Sequence, residues 1–278
     1  MLVAHAIQEA PVSKTLVQSQ FGQNARNYVT SAVHAKGASL GRLVELVAPQ
    51  PTWRALDIAT AAGHTAFAFA PHVAHVVASD VTPEMLAEAR KLATEKGITN
   101  VETAEADAEA LPFHEVTFDL VTCRIAPHHF PDIPAFVAEV WRVLRPGGVF
   151  ALVDNVSPDA TTTPGFTDIE LATAAVDYDA FEKLRDSSHG RCLTMTQWRT
   201  ALTEQGFSIR AEETMDKAMD FAAWCKNMSV AADLVPQLEQ ILRSASPALA
   251  AFLRPSFTPE KIGFTLIEGV FIVTKPAS

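Results

Sequence analysis

Four short runs of apolar, largely β-branched or Leu-rich residues mark the first half of the chain, at residues 55–59, 76–79, 120–123 and 149–153. Each is bounded by turn or polar residues, which predicts buried strands. Between the second and third runs, residues 83–96 place Met85, Leu86, Ala89, Leu92 and Ala93 at helical spacing. Thr82 stands there as N-cap and Pro83 as the first helical residue. Between the third and fourth, residues 133–144 put Phe136, Val137, Val140, Trp141 and Leu144 on one face. That helix is expected to end in Arg145-Pro146-Gly147-Gly148, a cationic last turn followed by breakers. Strands alternating with helices predict an α/β fold with a mostly parallel sheet covered on both faces.

Two regions fall outside the alternation. Residues 14–50 read as helical, with an amphipathic segment at 40–47. Residues 156–190 and 221–254 are helix-prone and rich in Ala, Phe and Met. Residues 264–275 read as a long strand or as a hairpin around Glu268-Gly269. The predicted organisation is an N-terminal helical lid over residues 1–50 and one domain over 51–278. Its sheet core takes in 52–155, 192–220 and 260–275, with helical insertions near 156–190 and 221–258 lying over the strand ends.

Composition narrows the function classes. The 278 residues are 48% hydrophobic, ample for a core, and carry 22 Lys and Arg against 32 Asp and Glu, a net charge of −10. An acidic chain without a basic run lacks the footprint of a nucleic-acid binder. Three cysteines without CxxC spacing support neither a disulfide scaffold nor a thiolate zinc site. The N-terminus carries no cation ahead of a short apolar stretch. The most apolar segment, 61–78, is broken by His64, Pro71, His72 and His75. The expectation is a soluble, cytoplasmic protein, a monomer or homodimer with no membrane or nucleic-acid partner.

The chemistry concentrates at predicted strand ends. Residues 55–65 read as a strand entering a turn of tiny residues and then a helix, Ala-Leu-Asp-Ile-Ala-Thr-Ala-Ala-Gly-His-Thr. Such a turn lets backbone approach a ligand closely. Asp80 follows Asp57 by 23 residues and ends the second strand, where an acid is placed to accept hydrogen bonds from ribose hydroxyls. Asp107 follows a short strand near Val101-Glu102 and is a candidate for an exocyclic amino group of adenine, with Ala108 adding a backbone N–H. A nicotinamide dehydrogenase shares the turn-plus-acid logic, but the segments at 105–113 and 145–148 disfavour it.

As a set, LDIATAAG, SDVTPEML, DAEALPF, FDLVTCRIAPHHF and VLRPGG resemble the class I S-adenosylmethionine-dependent methyltransferases. They are most similar to the small-molecule group (methyltransferase type 11) that includes the ubiquinone/menaquinone-biosynthesis C-methyltransferases. The resemblance spans residues 52–155 and implies a doubly wound, Rossmann-like sheet of seven strands. It also implies S-adenosylmethionine as cofactor and a small-molecule acceptor. Carried across, it gives the methionine end to the Asp57 carboxylate and the backbone from Ala59 through Ala61 to Gly63. Asp80 takes the ribose and Val81 packs on the adenine. Asp107 and Ala108 hold the adenine edge, and Arg124 lines the pocket. In one respect the chain departs from the pattern: positions that usually carry glycine hold Ala59 and Ala61, leaving Gly63 alone. Alanine there costs wherever φ must be positive.

On the acceptor side, His128 and His129 follow the fourth strand, and either is a candidate general base; His129 is preferred. Tyr28 would sit near the sulfonium or the acceptor, whereas His34 reads as helix packing. If part of the set Phe181, Trp198, Phe221, Trp224 and Met228 lines the crevice, the acceptor is flat and apolar. Asp154-Asn155 is similar to a pair in catechol-type methyltransferases, but Cys123 or Arg124 stands where that set needs another carboxylate. His128, His129 and Asp132 fit no zinc spacing, so no metal is expected. The function implied is methyl transfer by in-line displacement. The rivals are a non-methylating use of the same cofactor, such as cyclisation, and an inactive scaffold motivated by Ala59 and Ala61.

Overall fold

The computed structural model describes residues 14–30 and 37–277, and the side chains of all of these except 23–30. Among the described residues, the strands join in one eight-stranded sheet. In chain order they are β1 (Arg54–Ile58), β2 (His75–Asp80), β3 (Val101–Glu105), β4 (Phe118–Arg124), β5 (Leu144–Asn155), β6 (Ser208–Asp220), β7 (Ser256–Phe257) and β8 (Ile262–Thr274). The order across the sheet is β3-β2-β1-β4-β5-β8-β6, and the two-residue β7 pairs with β8. The contacts among β1 to β5 are parallel. β8 runs antiparallel to both β5 and β6.

Period-two burial divides the sheet between two cores. Leu56, Ile58, Val121, Cys123, Phe150 and Leu152 face one side. Ala55, Leu120, Val149, Ala151 and Val153 face the other. On the first side pack α5 (Ile133–Val143), α6 (Asp168–Arg185), α7 (Met195–Glu204), α8 (Phe221–Asn227), α9 (Val235–Arg243) and α10 (Pro247–Leu253). On the second pack α2 (Ala38–Val47), α3 (His64–Phe69) and the end of α4 (Pro83–Glu95). Helices over both faces are what buried parallel strands require. α1 (Lys14–Thr30) stands apart from these layers and lies against α4.

Two local expectations are corrected, and one pair of alternatives is decided. β1 ends at Ile58, because Ala59 has φ +52 and has left the strand. α5 ends at Val143, and 145–148 form the irregular start of β5 instead of a last helical turn. The cation of that turn is Arg142, bound to Glu139 and to the carbonyls of Leu111 and Phe113, while Arg145 pairs with Asp119. No hairpin forms at Glu268-Gly269. Both residues pair on both sides within β8, and a Cβ on Gly269 would lie 2.7 Å from Met195 Sδ and Val156 Cγ1. That glycine serves close packing.

The topology fixes where a ligand can lie. From β1 the chain steps outward to β2 and β3, then crosses to β4 on the other side of β1. The reversal leaves a crevice beyond the carboxyl ends of β1 and β4. β5 ends its pairing at Asn155, opposite Glu268, whereas β6 and β8 continue together to Asp220 and Gly263. That two-stranded extension walls the crevice on its far side.

Candidate active site

One cavity runs along the strand ends, from the turn after β1 to the tips of β6 and β8. At its near end stand Ala59, Ala61, Asp80, Val81 and Met85. The turn after β1 is unusual: Ala59, Ala61 and Gly63 have φ of +52, +47 and +88. Two of the three left-handed residues thus carry a methyl group, a conformation costly for L-residues. Gly63 has a second constraint, since a Cβ there would lie 2.4 Å from Phe67 Cζ.

The turn is tied down by the two carboxylates that sequence spacing singled out. Asp80 Oδ2 accepts from the Ala61 N–H at 2.9 Å, and Oδ1 from the Thr82 N–H at 2.9 Å. Burial pushes the Asp80 carboxyl upward in pKa, and these N–H bonds oppose the shift. Asp57 is fully buried beneath the turn. Its oxygens accept from Thr60 Oγ1 and Thr122 Oγ1, each at 2.6 Å, and burial carries its pKa to about 6.

The sequence candidates therefore separate. Ala59, Ala61, Asp80, Val81, Arg124, His128 and His129 line the cavity. Among the described residues, Asp57, Gly63, Asp107 and Ala108 do not line it. Asp57 instead braces the turn through two threonines. Asp107 is engaged by α1, because Lys14 Nζ lies 2.5 Å from both Asp107 Oδ2 and Glu109 Oε2. Gln18 Nε2 also donates to the Val81 carbonyl at 2.8 Å. Val17 and Phe21 of the same helix line the cavity, so α1 covers its near end. Tyr28 belongs to α1, but its side chain lies outside the described ones, and His34 lies outside the described residues altogether.

Past Arg124 the cavity meets three buried histidines. His128 and His129 form a single 3-10 turn with Pro127 after β4. His128 Nδ1 lies 2.6 Å from Asp154 Oδ1. Burial holds His128 well below the usual histidine range and raises Asp154 to about 8, so both groups favour their uncharged forms. His129 Nδ1 lies 2.8 Å from the Ser188 carbonyl, and the Phe21 ring meets its own ring edge-on at 5.0 Å between centroids. Burial and the neighbouring His128 take His129 down to about 3. Asp132 has a structural role. It caps α5 by accepting from the Ala135 N–H.

The third histidine, His189, was not singled out in the sequence. It belongs to the segment after α6, which the Gly190 N–H bonds to the His128 carbonyl at 2.9 Å. His189 Nε2 lies 3.0 Å from Asp179 Oδ1, which also accepts from the Cys192 N–H. Burial lowers the His189 pKa, but the Asp179 bond and the charges of Glu182, Asp179 and Asp186 outweigh it, so the net shift is upward. Asp179, His189 and Cys192 are also the one group among the described residues with metal-ligating atoms close together. Those of Asp179 and His189 already bond each other.

The far end is polar. Asn155, Glu182, Arg185, Asp186, His189 and Lys217 line it together with Trp224, Met219 and Leu266. Lys217 Nζ pairs with Glu268 Oε1 at 3.0 Å, and Asp186 Oδ1 accepts from Ser188 Oγ at 2.6 Å. Of the five residues expected to offer an apolar surface, Trp224 alone lines the cavity among the described residues. Phe181, Trp198, Phe221 and Met228 are buried in the protein interior.

Residues 55–148 match a methyltransferase domain family. The chain is 33% identical over 229 residues to the uncharacterized methyltransferase YcgJ of Bacillus subtilis, covering 82% of this chain and 86% of that one. The protein is an S-adenosylmethionine-dependent methyltransferase. The crystal structure of YcgJ superposes with a TM-score of 0.79 at 31% identity, over 86% of this methyltransferase and 99% of that chain. The ubiquinone/menaquinone biosynthesis C-methyltransferase UbiE of Brucella canis is 30% identical over 187 residues, covering 65% of this methyltransferase and 64% of UbiE. The 4+2 cyclase SpnF has a TM-score of 0.61 at 18% identity, covering 97% of this chain and 98% of its own, a likeness of fold alone.

Proposed function

We propose that this methyltransferase binds S-adenosylmethionine between the turn after β1 and Asp80, and passes its methyl group to a small molecule held at the far end of the same cavity. The observation that carries this reading is the continuity of the cavity from Asp80 to the histidines and the polar far wall. The near end fits the cofactor. Small side chains at 59 and 61 leave the backbone approachable, and Asp80 stands in the cavity wall beside them. Val81 and Met85 supply apolar surface for a base.

When bound, the cofactor supplies a methyl group on a positively charged sulfur, which leaves neutral as the S–CH3 bond breaks and the bond to the acceptor forms. The protein's part is largely placement. Asp80 holds the ribose end, α1 covers the site and keeps out water, and the far wall fixes the nucleophile in line. His128 and His129 are uncharged at neutral pH and offer a place for any proton the nucleophile sheds. Bases this weak help little with a proton, so the transfer leans chiefly on placement. Asp57 does not touch the reactants; it holds the turn in shape through Thr60 and Thr122.

Incubation with methyl-labelled S-adenosylmethionine and a fractionated metabolite extract tests the reading. S-adenosylhomocysteine should form together with one labelled small product. Cofactor consumed without S-adenosylhomocysteine would indicate a non-methylating reaction instead, and no consumption with any fraction would count against catalysis.

A further inference from the structure

Three side-chain atoms at the far end of the cavity are buried without a hydrogen-bond partner: Asn155 Oδ1, Glu182 Oε1 and Trp224 Nε1. Their residues are 7%, 4% and 1% exposed, belong to β5, α6 and α8, and all line the same cavity. Buried polar groups in folded proteins are nearly always paired, and leaving one unpaired costs stability. Neighbouring groups in the same wall are satisfied. Asp186 accepts from Ser188, Lys217 pairs with Glu268, and His189 pairs with Asp179. Unmet atoms also occur at Ser39, Asp154, Tyr178 and Trp198, but those residues do not line the cavity, whereas these three share its far end, where a bound molecule would meet them.

Their chemistry describes that molecule. Asn155 Oδ1 accepts only. The Trp224 indole N–H donates only. A carboxyl oxygen of Glu182 can be matched in either protonation state by a group that both gives and takes a hydrogen bond. A hydroxyl does both, whereas an ammonium group only donates. A hydrocarbon chain in this place would leave all three atoms unmet and would also lie against Arg185, Asp186 and Lys217.

We infer that the far end of the cavity recognises a compact molecule bearing at least two hydroxyl groups and no long hydrocarbon tail. One hydroxyl donates to Asn155 Oδ1, another pairs with Glu182 Oε1, and a hydroxyl oxygen accepts from Trp224 Nε1. This rests on the methyltransferase reading, because it takes the far end to be the acceptor's place. It also separates this protein from an enzyme whose acceptor carries a polyprenyl tail. Asn155 and Trp224 then act as specificity residues, and their polar atoms serve binding at the expense of stability.

Protein saturated with S-adenosylhomocysteine is titrated calorimetrically with two matched pairs, 1,2-dihydroxybenzene against phenol and inositol against cyclohexanol, and with a decyl-substituted benzoquinol. At least one polyhydroxylated probe should bind about tenfold or more tightly than its single-hydroxyl partner. The decyl compound should not bind. Trp224→Phe and Asn155→Leu should each erase most of that preference while S-adenosylhomocysteine affinity is kept. Without probe, Asn155→Leu should melt at or above the wild type, because it removes an unmet polar atom; a purely structural role predicts a lower melt. Equal binding within both pairs, tighter binding of the decyl compound, no binding by either polyhydroxylated probe, or variants that keep the preference would overturn the inference. Failure of the wild-type protein to bind S-adenosylhomocysteine at all would instead remove the methyltransferase reading beneath it.

Discussion

The turn after β1 places two alanines where the backbone favours glycine, and this gives a quantitative test of how the binding turn is built. Ala59 and Ala61 have φ of +52 and +47. The left-handed conformation costs an L-residue roughly 1–2 kcal/mol. Replacement by glycine removes that cost, but the freer unfolded chain takes back ~0.4–1 kcal/mol. The net gain is therefore ~0.5–1 kcal/mol at each position. The two sites are close and share the Asp80 anchor, so the double variant is expected near ~1–2 kcal/mol without strict additivity. At ~2.1 cal/mol/K of unfolding entropy per residue, a chain of 278 residues should melt ~2–3 °C higher. Gly63→Ala provides the opposite arm. Its φ of +88 and the Phe67 ring 2.4 Å from the added Cβ make it destabilising by roughly 2 kcal/mol or more. Thermal melts by circular dichroism, with and without S-adenosylhomocysteine, measure all of these. A double glycine variant that melts below the wild type, or a Gly63→Ala variant that melts with it, would refute the strain argument.

Two further outcomes follow from groups around the turn. Burial raises Asp57 to about 6 from an ordinary 3.8, so the native state takes up this proton before the unfolded state does. Stability from this group is greatest below about pH 4 and is lost as pH rises through 6, a change of ~3 kcal/mol. Asp57→Asn should flatten that part of the stability profile in urea titrations at stepped pH; an unaltered slope contradicts the shift. Lys14→Met removes the tie between α1 and both Asp107 and Glu109. S-adenosylhomocysteine release measured by stopped flow should speed up ~2–5-fold at low salt, and wild type and variant should converge in high salt. Equal release rates at low salt would show that Lys14 does not hold the lid.

The alternating half of the fold was legible because the sequence carries two local signals there, short apolar runs bounded by turn residues and helices with apolar residues at helical spacing. The near end of the cavity was legible for the same reason. Asp80 and the small-residue turn sit at a fixed spacing around adjacent strands, and the Ala61 N–H to Asp80 bond closes that loop. The far end offered no such spacing. His189 reaches the site through Asp179 and through the loop joined to His128, and Glu182 and Asp179 read in sequence as ordinary charges on a helix. The polar run at 187–191 between two helical segments is the one local signal the sequence carries for this stretch. Asp57 and Asp107 show the converse. Their spacing points at a ligand, and the structure adds tertiary partners that spacing cannot show, two threonines for one and Lys14 for the other. Most of the apolar set expected at the crevice lies in the core instead, because periodicity cannot tell which face of a Phe-rich helix meets the core and which meets a cavity.

Asp80 is the proposed anchor of the cofactor end, and titration calorimetry of S-adenosylhomocysteine into wild-type protein and Asp80→Ala tests this most directly. The wild type should bind one molecule per chain, and the variant should lose affinity about tenfold or more while keeping a cooperative melt. No binding to the wild type, or equal affinity in a folded variant, would contradict it.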